Sequence, residues 1–301
     1  MRGLVKHLGV GFLMGSADVV PGVSGGTVAL VCGIYARLID AIRDGARALG
    51  WILRGRVRDG LRGIAEVDWA LLVPLLAGIG AAVLTLASVI EHLLDDEPIK
   101  LGALFFGLVA GSVVVARSLL RRPERSHLVI VLVVGAALFL LLGLRTDTTA
   151  TAGQEATAPL WAYPASGALA ICAMILPGVS GSFLLVMVGM YSDVLGAVND
   201  RDLPAIALFL AGCVVGLAVF ARLLAWLLDR HHDRVVAVMI GLMLGSVRVL
   251  WPWPGGTGTT ELAAPGGEVL VPLALAVAGF AFVLALGRFG AVQEEPVPHP
   301  G

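Results

Sequence analysis

The chain has 301 residues, of which 58% are hydrophobic and 14% charged, with a net charge of −1 and a mean hydropathy of +0.92. That hydropathy lies outside the range of soluble globular domains and marks a polytopic membrane protein, while the near-neutral charge argues against nucleic acid as a partner. Cys32, Cys172 and Cys213 fall in apolar runs without ligand spacing, so they read as small core residues, and neither a disulfide nor a metal site is expected.

The first apolar region, 4–42, is interrupted by Pro21-Gly22-Val23-Ser24-Gly25-Gly26, which a straight helix does not accommodate. It reads as a helical hairpin broken at its tip. A cleaved signal peptide competes for the first twenty residues, where Arg2 and Lys6 precede an apolar stretch and a run of small residues. Against it stands the recurrence of the following block later in the chain, again behind an apolar run. Residues 43–68 form a basic cytoplasmic linker in which Trp51, Ile52, Leu53, Val57 and Leu61 alternate with arginines. It reads as a helix lying on the leaflet, with a solvated basic loop as the alternative. Apolar runs at 69–93, 99–120 and 127–144 are long enough, or nearly so, to cross a hydrocarbon layer of about 30 Å. A polar extracytoplasmic loop, 145–160, leads to a second interrupted region, 161–198, broken at Pro177-Gly178-Val179-Ser180-Gly181-Ser182. Three further spans are expected at 204–228, 234–250 and 269–287, followed by a tail at 289–301.

The two interrupted regions align without gaps from Pro21 on Pro177, pairing Gly33 with Gly189 and Tyr35 with Tyr191. A second ungapped register pairs Leu76-Ala77-Gly78 with Leu210-Ala211-Gly212 and the stretch from Gly107 with that from Gly241. The expected fold is therefore all-α, with two repeats, 1–144 and 161–288, each a broken or re-entrant hairpin followed by three transmembrane helices. Three spans plus a returning hairpin make the second repeat run inverted through the membrane. The charges agree: the stretch 43–62 is rich in arginine, whereas its counterpart, Asn199 to Pro204, is short and mainly acidic. The positive-inside rule then puts both termini in the cytoplasm.

A break at membrane depth leaves backbone groups unpaired and is tolerated only within protein or beside a watery cavity. After each break a helix begins, so its N-terminal N–H groups and dipole point into the membrane interior, beside Ser24 and Thr27 or Ser180 and Ser182. That is an arrangement for an anion, with Gly25, Gly26 and Gly181 letting the backbone approach it. Pro21, Gly22, Pro177 and Gly178 form the break itself. The bland reading of glycines four apart is close helix packing, and it is preferred for Gly11/Gly15, Gly107/Gly111, Gly212/Gly216 and Gly241/Gly245. Asp18 has Met174 as its counterpart, and it reads either as a cap of the broken turn or as a group that couples to a proton or sodium gradient. Arg222, within a span, either neutralises an anion in the cavity or snorkels to the cytoplasmic surface. No zinc signature, nucleophile elbow or catalytic carboxylate pair is present, and no cofactor is expected.

The paired "PGVSGG" and "PGVSGS", the first preceded by Asp18, resemble the prokaryotic polyprenyl-phosphate translocase family (PopT-like), over nearly the whole chain. The resemblance implies a transporter rather than an enzyme. It returns undecaprenyl phosphate from the outer to the inner leaflet for reuse in cell-envelope synthesis. The expected mechanism is alternating access, with phosphate held by Ser24, Gly25, Gly26, Thr27, Ser180, Gly181 and Ser182, charge compensation from Arg222, and coupling through Asp18. Two other readings stand beside it: an ion-coupled carrier of a small soluble anion, and a membrane enzyme acting on a lipid phosphate.

Overall fold

A computed structural model describes residues 2–18, 24–143, 158–179, 181, 184–185, 188–255 and 261–291. All regular structure among them is helical: α1 (Arg2–Asp18), α2 (Gly25–Val31), α3 (Tyr35–Leu53), α4 (Val57–Glu66), α5 (Trp69–Asp96), α6 (Pro98–Arg117), α7 (Arg125–Gly143), α8 (Ala162–Ile175), α9 (Tyr191–Asn199), α10 (Leu203–Ser246) and α11 (Leu270–Ala291). Five of them, α5, α6, α7, α10 and α11, are long and apolar enough to cross a membrane, so the chain is a polytopic helical membrane protein. The spans expected at 204–228 and 234–250 are one element, α10, broken at His231, where φ is −137° and ψ is 41°. The register that pairs Leu76 with Leu210 also pairs His231 with Glu97, the residue between α5 and α6, where φ is −136° and ψ is 49°. The expected loop at 145–160 and tail at 289–301 lie largely outside the described residues.

The first hairpin departs from its expected outline. Its returning arm, α2, has only seven residues, and the chain then turns by 120° into α3, which runs unbroken to Leu53. The boundary expected at residue 42 is therefore interior to a helix. The turn falls at Gly33, whose φ of +70° an L side chain resists. Gly189, its aligned partner, has φ +74° and precedes α9. Hydropathy misplaced the boundary because α3 is amphipathic: Ile39, Ala41 and Ala48 are buried while Arg37, Asp40, Arg43 and Asp44 reach outward.

Glycines set the helix contacts. A Cβ on Gly11 would enter the Leu75 carbonyl, and one on Gly78 the Leu8 carbonyl, which locks α1 to α5. The aligned contacts join α8 to α10, where Gly167 meets Phe209 and Gly212 meets Pro164. The last helices of the two halves are exchanged. Gly107 and Gly111 of α6 lie on Ala276 and Phe280 of α11, while Gly241 and Gly245 of α10 lie on Val131 and Leu138 of α7. With little hydrophobic drive between helices in lipid, such backbone-to-backbone approach supplies the packing.

Helix interruptions are repaired by neighbours. Pro74 lies inside α5 and has no N–H for the Ala70 carbonyl. His7 Nδ1 of α1 donates to that carbonyl at 3.0 Å, and its Nε2, left as an acceptor, faces Arg37 Nη1 at 3.5 Å. Arg37 Nε also pairs with Asp68 at 2.6 Å, the residue whose carboxylate caps α5. The Asp233 carboxylate accepts the N–H groups of Arg121 and Arg122 at 3.0 and 2.9 Å, tying the α6–α7 loop to the break in α10.

Gly107→Leu is expected to destabilise the detergent-solubilised protein by about 2 kcal/mol or more, because the new side chain has only the α11 backbone to displace. Gly9→Ala, in a helical position with open space around it, should be neutral or stabilising by up to about 1 kcal/mol. Thermal unfolding of the two variants beside the wild type checks both.

Candidate functional site

The first break brings four of the expected residues together. Ser24 is the N-cap of α2, and its Oγ accepts the Gly26 N–H at 3.1 Å. The Gly25 N–H donates to Asp18 Oδ1 at 2.6 Å. Thr27 N–H turns back on the Ser24 carbonyl at 2.8 Å. The N–H groups at the start of α2 are thus all engaged, and the anion at the tip is the protein's own Asp18 carboxylate. A Cβ on Gly25 would lie 2.6 Å from Asp18 Oδ2, so glycine is required for that contact. Pro21 and Gly22 lie outside the described residues.

The first tip is also clasped to the second hairpin. Helix α8 stops before Pro177, so the carbonyls of its last turn lack helical donors. Leu176 N–H takes the Ala173 carbonyl at 3.0 Å. Ser24 Oγ donates to the Met174 carbonyl at 3.1 Å and Tyr35 Oη to the Ile175 carbonyl at 3.0 Å. Gly26 completes the fit, since a Cβ there would lie 2.7 Å from the Ile175 carbonyl. Tyr35 is buried, whereas its aligned partner Tyr191 is 42% exposed. Tyr35 was visible in the sequence as a residue shared by both repeats, but its role needs the partner carbonyl to be seen. In the second motif Pro177 is fully buried. Gly178 has φ +82° and packs on the Met243 backbone, and Gly181 packs on Met174 and Ala170. Ser180 and Ser182 lie outside the described residues.

Two cavities flank α2. The larger, about 530 Å³, runs from Asp18, Gly26 and Tyr35 beneath α3 to the walls formed by α5, α8 and α10. Asp18 is the one charged side chain among its described lining residues, and nearly all the others are apolar. Leu76 and Val214 line it and are 59% and 50% exposed, so it is a groove open to the lipid-facing surface between α5 and α10. The smaller, about 140 Å³, lies on the other face of α2 and is lined by Ser16, Thr27 and Ser112 among apolar residues. Thr27 belongs to that side: it is buried, and its Oγ1 has no hydrogen-bond partner.

Arg222 is not at the tip. Its Nη2 donates to the Ala46 carbonyl of α3 at 3.0 Å, and Ala46 lines the larger cavity. Ala46 stands about 16 Å along α3 from Tyr35, which places the guanidinium at the cavity's rim. Nearby, Arg43 bridges Asp40 at 2.9 Å and reaches Asp229 of α10 at 4.0 Å, so α3 is held to α10 along this edge. Sequence reasoning also passed over Arg248, whose guanidinium lies 4.8 Å from the centre of the Phe139 ring.

The matching family model covers residues 14–265 and is described as undecaprenyl phosphate translocase-like. The chain belongs to that family. It is similar to the polyprenyl-phosphate transporter of Vibrio cholerae serotype O1, 41% identical over 250 residues that cover 81% of this chain and 76% of the relative. A second relative, the polyprenyl-phosphate transporter of Staphylococcus aureus, is 28% identical over 297 residues, covering 94% of this chain and 96% of its own. Both are named as transporters, not enzymes. No solved structure matches the chain.

Tyr35→Phe removes the donor to the buried Ile175 carbonyl while keeping the ring, and should destabilise the protein by about 1–3 kcal/mol. Ser24→Ala removes both the α2 cap and the donor to Met174, and should be at least as damaging. Tyr191→Phe, at an exposed hydroxyl, should leave stability unchanged. Thermal midpoints of the three purified variants test the clasp.

Proposed function

We propose that this protein translocates undecaprenyl phosphate across the plasma membrane, from the outer to the inner leaflet, so that the carrier lipid is reused in envelope synthesis. The observation that carries this reading is the larger cavity: an apolar groove open to lipid that ends at a polar, broken-helix tip and has a guanidinium at its rim. A lipid phosphate needs its head desolvated against compensating donors while its tail stays among apolar groups. The polyprenyl tail lies along the groove and continues into the bilayer through the side bounded by Leu76 and Val214. Arg222 draws the head toward the rim, and the backbone at Ser24, Gly25 and Gly26 receives it.

In this mechanism Asp18 and the phosphate compete for the Gly25 N–H. Two anions do not share one donor in a low-dielectric pocket, so the head binds when Asp18 gives up its charge or swings away. That requirement links lipid binding to a proton or sodium ion at Asp18. The two hairpins alternate in exposing the head to opposite sides, with Ser180, Gly181 and Ser182 as the second set of donors and Thr27 joining when α2 shifts. A soluble-anion carrier fits less well, because a wide apolar wall offers a small hydrated anion nothing in exchange for its water.

The test is reconstitution into liposomes bearing undecaprenyl phosphate, with its leaflet distribution followed under an imposed proton or sodium gradient. The wild type should redistribute the lipid. Gly25→Leu, which pushes into Asp18, should slow it by on the order of a hundredfold. Asp18→Asn keeps an acceptor for Gly25 and should retain binding but lose the dependence on the gradient. A wild type that moves no lipid, or an Asp18→Asn variant with unchanged gradient dependence, defeats the respective claim.

A further inference from the structure

The helical pair α3–α4 carries a surface that transport does not explain. Gly60 and Gly63 of α4 press against Ala48, Trp51 and Ile52 of α3, and this contact fixes which sides face outward. Val57, Leu61 and Ile64 fall on one stripe of α4 at helical spacing, with Val57 50% and Leu61 59% exposed. Leu53, one turn past Leu49 on α3, is 79% exposed. Leu49 and Ile64 also line the larger cavity. The apolar edge is therefore continuous from the cavity's mouth outward onto the two helices.

Arginines follow the same edge. Arg58 and Arg62 lie one turn apart on the adjoining stripe of α4, and Arg54 sits at the end of α3; all three are exposed and make no ion pair among the described residues. Arg56 differs, since it pairs with Asp59 at 2.8 Å and lies over the Trp51 ring. Exposed leucines beside three uncompensated arginines match a surface that is apolar below and negative above. We propose that the α3–α4 pair docks on the anionic phospholipid headgroups of the adjoining leaflet, and that this docking seats the mouth of the larger cavity at the leaflet surface.

The experiment uses the full-length protein in nanodiscs of phosphatidylcholine, alone or mixed with phosphatidylglycerol, and follows backbone hydrogen exchange across residues 47–66, with α5 and α6 as the internal reference. The wild type should exchange more slowly in the anionic discs, by roughly tenfold or more given the attraction expected per arginine. The triple variant Arg54→Gln, Arg58→Gln, Arg62→Gln should lose that difference. As a check that needs no variant, high salt should erase it in the wild type. Equal exchange of the wild type in both discs, a difference that survives in the triple variant, or one that salt leaves intact overturns the proposal. The readout needs no transport, so its failure is separate from that of the proposed function.

Discussion

A proline or a helix end inside hydrocarbon leaves carbonyl groups that water does not reach, and in this chain three of them are taken by side chains of another helix. His7 serves Ala70 above Pro74, and Ser24 and Tyr35 serve Met174 and Ile175 before Pro177. Each repair joins two elements that the chain connects only distantly. The first ties α1 to α5, and the other two tie the first hairpin to the second. The broken helices are thus the fastenings of the molecule as well as its interruptions, and the position of the tip follows from them. With α2 capped by Ser24 and Asp18, and Tyr35 anchored at its far end, the tip has one place to sit against α8.

The glycine contacts and the hydrogen bonds divide the work. Gly11 and Gly78, Gly167 and Gly212, and the exchanged pairs on α7 and α11 bring backbones into direct contact, which makes long, rigid helix pairs. Between those pairs, α2 meets the Ile175 carbonyl through Gly26 and α3 meets α4 through Gly60 and Gly63. Short α2 is bordered by a cavity on each face, and at its edge α3 reaches α10 through Arg43 with Asp229 and through the Ala46 carbonyl with Arg222.

Much of this was legible in the chain. The spans followed from hydropathy, and the packing glycines from their spacing, because both are periodic properties of single helices. The break motifs announced themselves by proline and glycine in apolar surroundings. What could not be read depended on partners distant in sequence. Asp18 offered two readings, a cap of the broken turn and a coupling group, and only the fold shows its carboxylate accepting the Gly25 N–H. Arg222 left two directions open, and its partner, the Ala46 carbonyl, lies on a helix far from it in sequence. Gly33 was visible as the partner of Gly189, but the left-handed backbone with which it turns the chain well before residue 42 was not. Thr27, grouped with Gly26 by proximity in sequence, lines the smaller cavity while Gly26 lines the larger, because successive residues of a helix point to different sides.

The unequal tips bear on direction. At the aligned position the first hairpin has Asp18 and the second has Met174. Asp18 contributes a carboxylate to its own helix N-terminus, while Met174 contributes a backbone carbonyl to Ser24 of the other hairpin. One tip therefore carries an internal anion that a phosphate has to displace, and the other carries none from this position. In the proposed cycle the phosphate meets a competitor on one side of the membrane and not on the other. A group that is charged on one side and discharged on the other converts an ion gradient into a difference in affinity between the two states. Equal tips would bind the head alike in both states, and a ligand held equally by two states shifts neither. In that proposed cycle the difference at Asp18 and Met174 is where an imposed ion gradient would act on one state and not on the other.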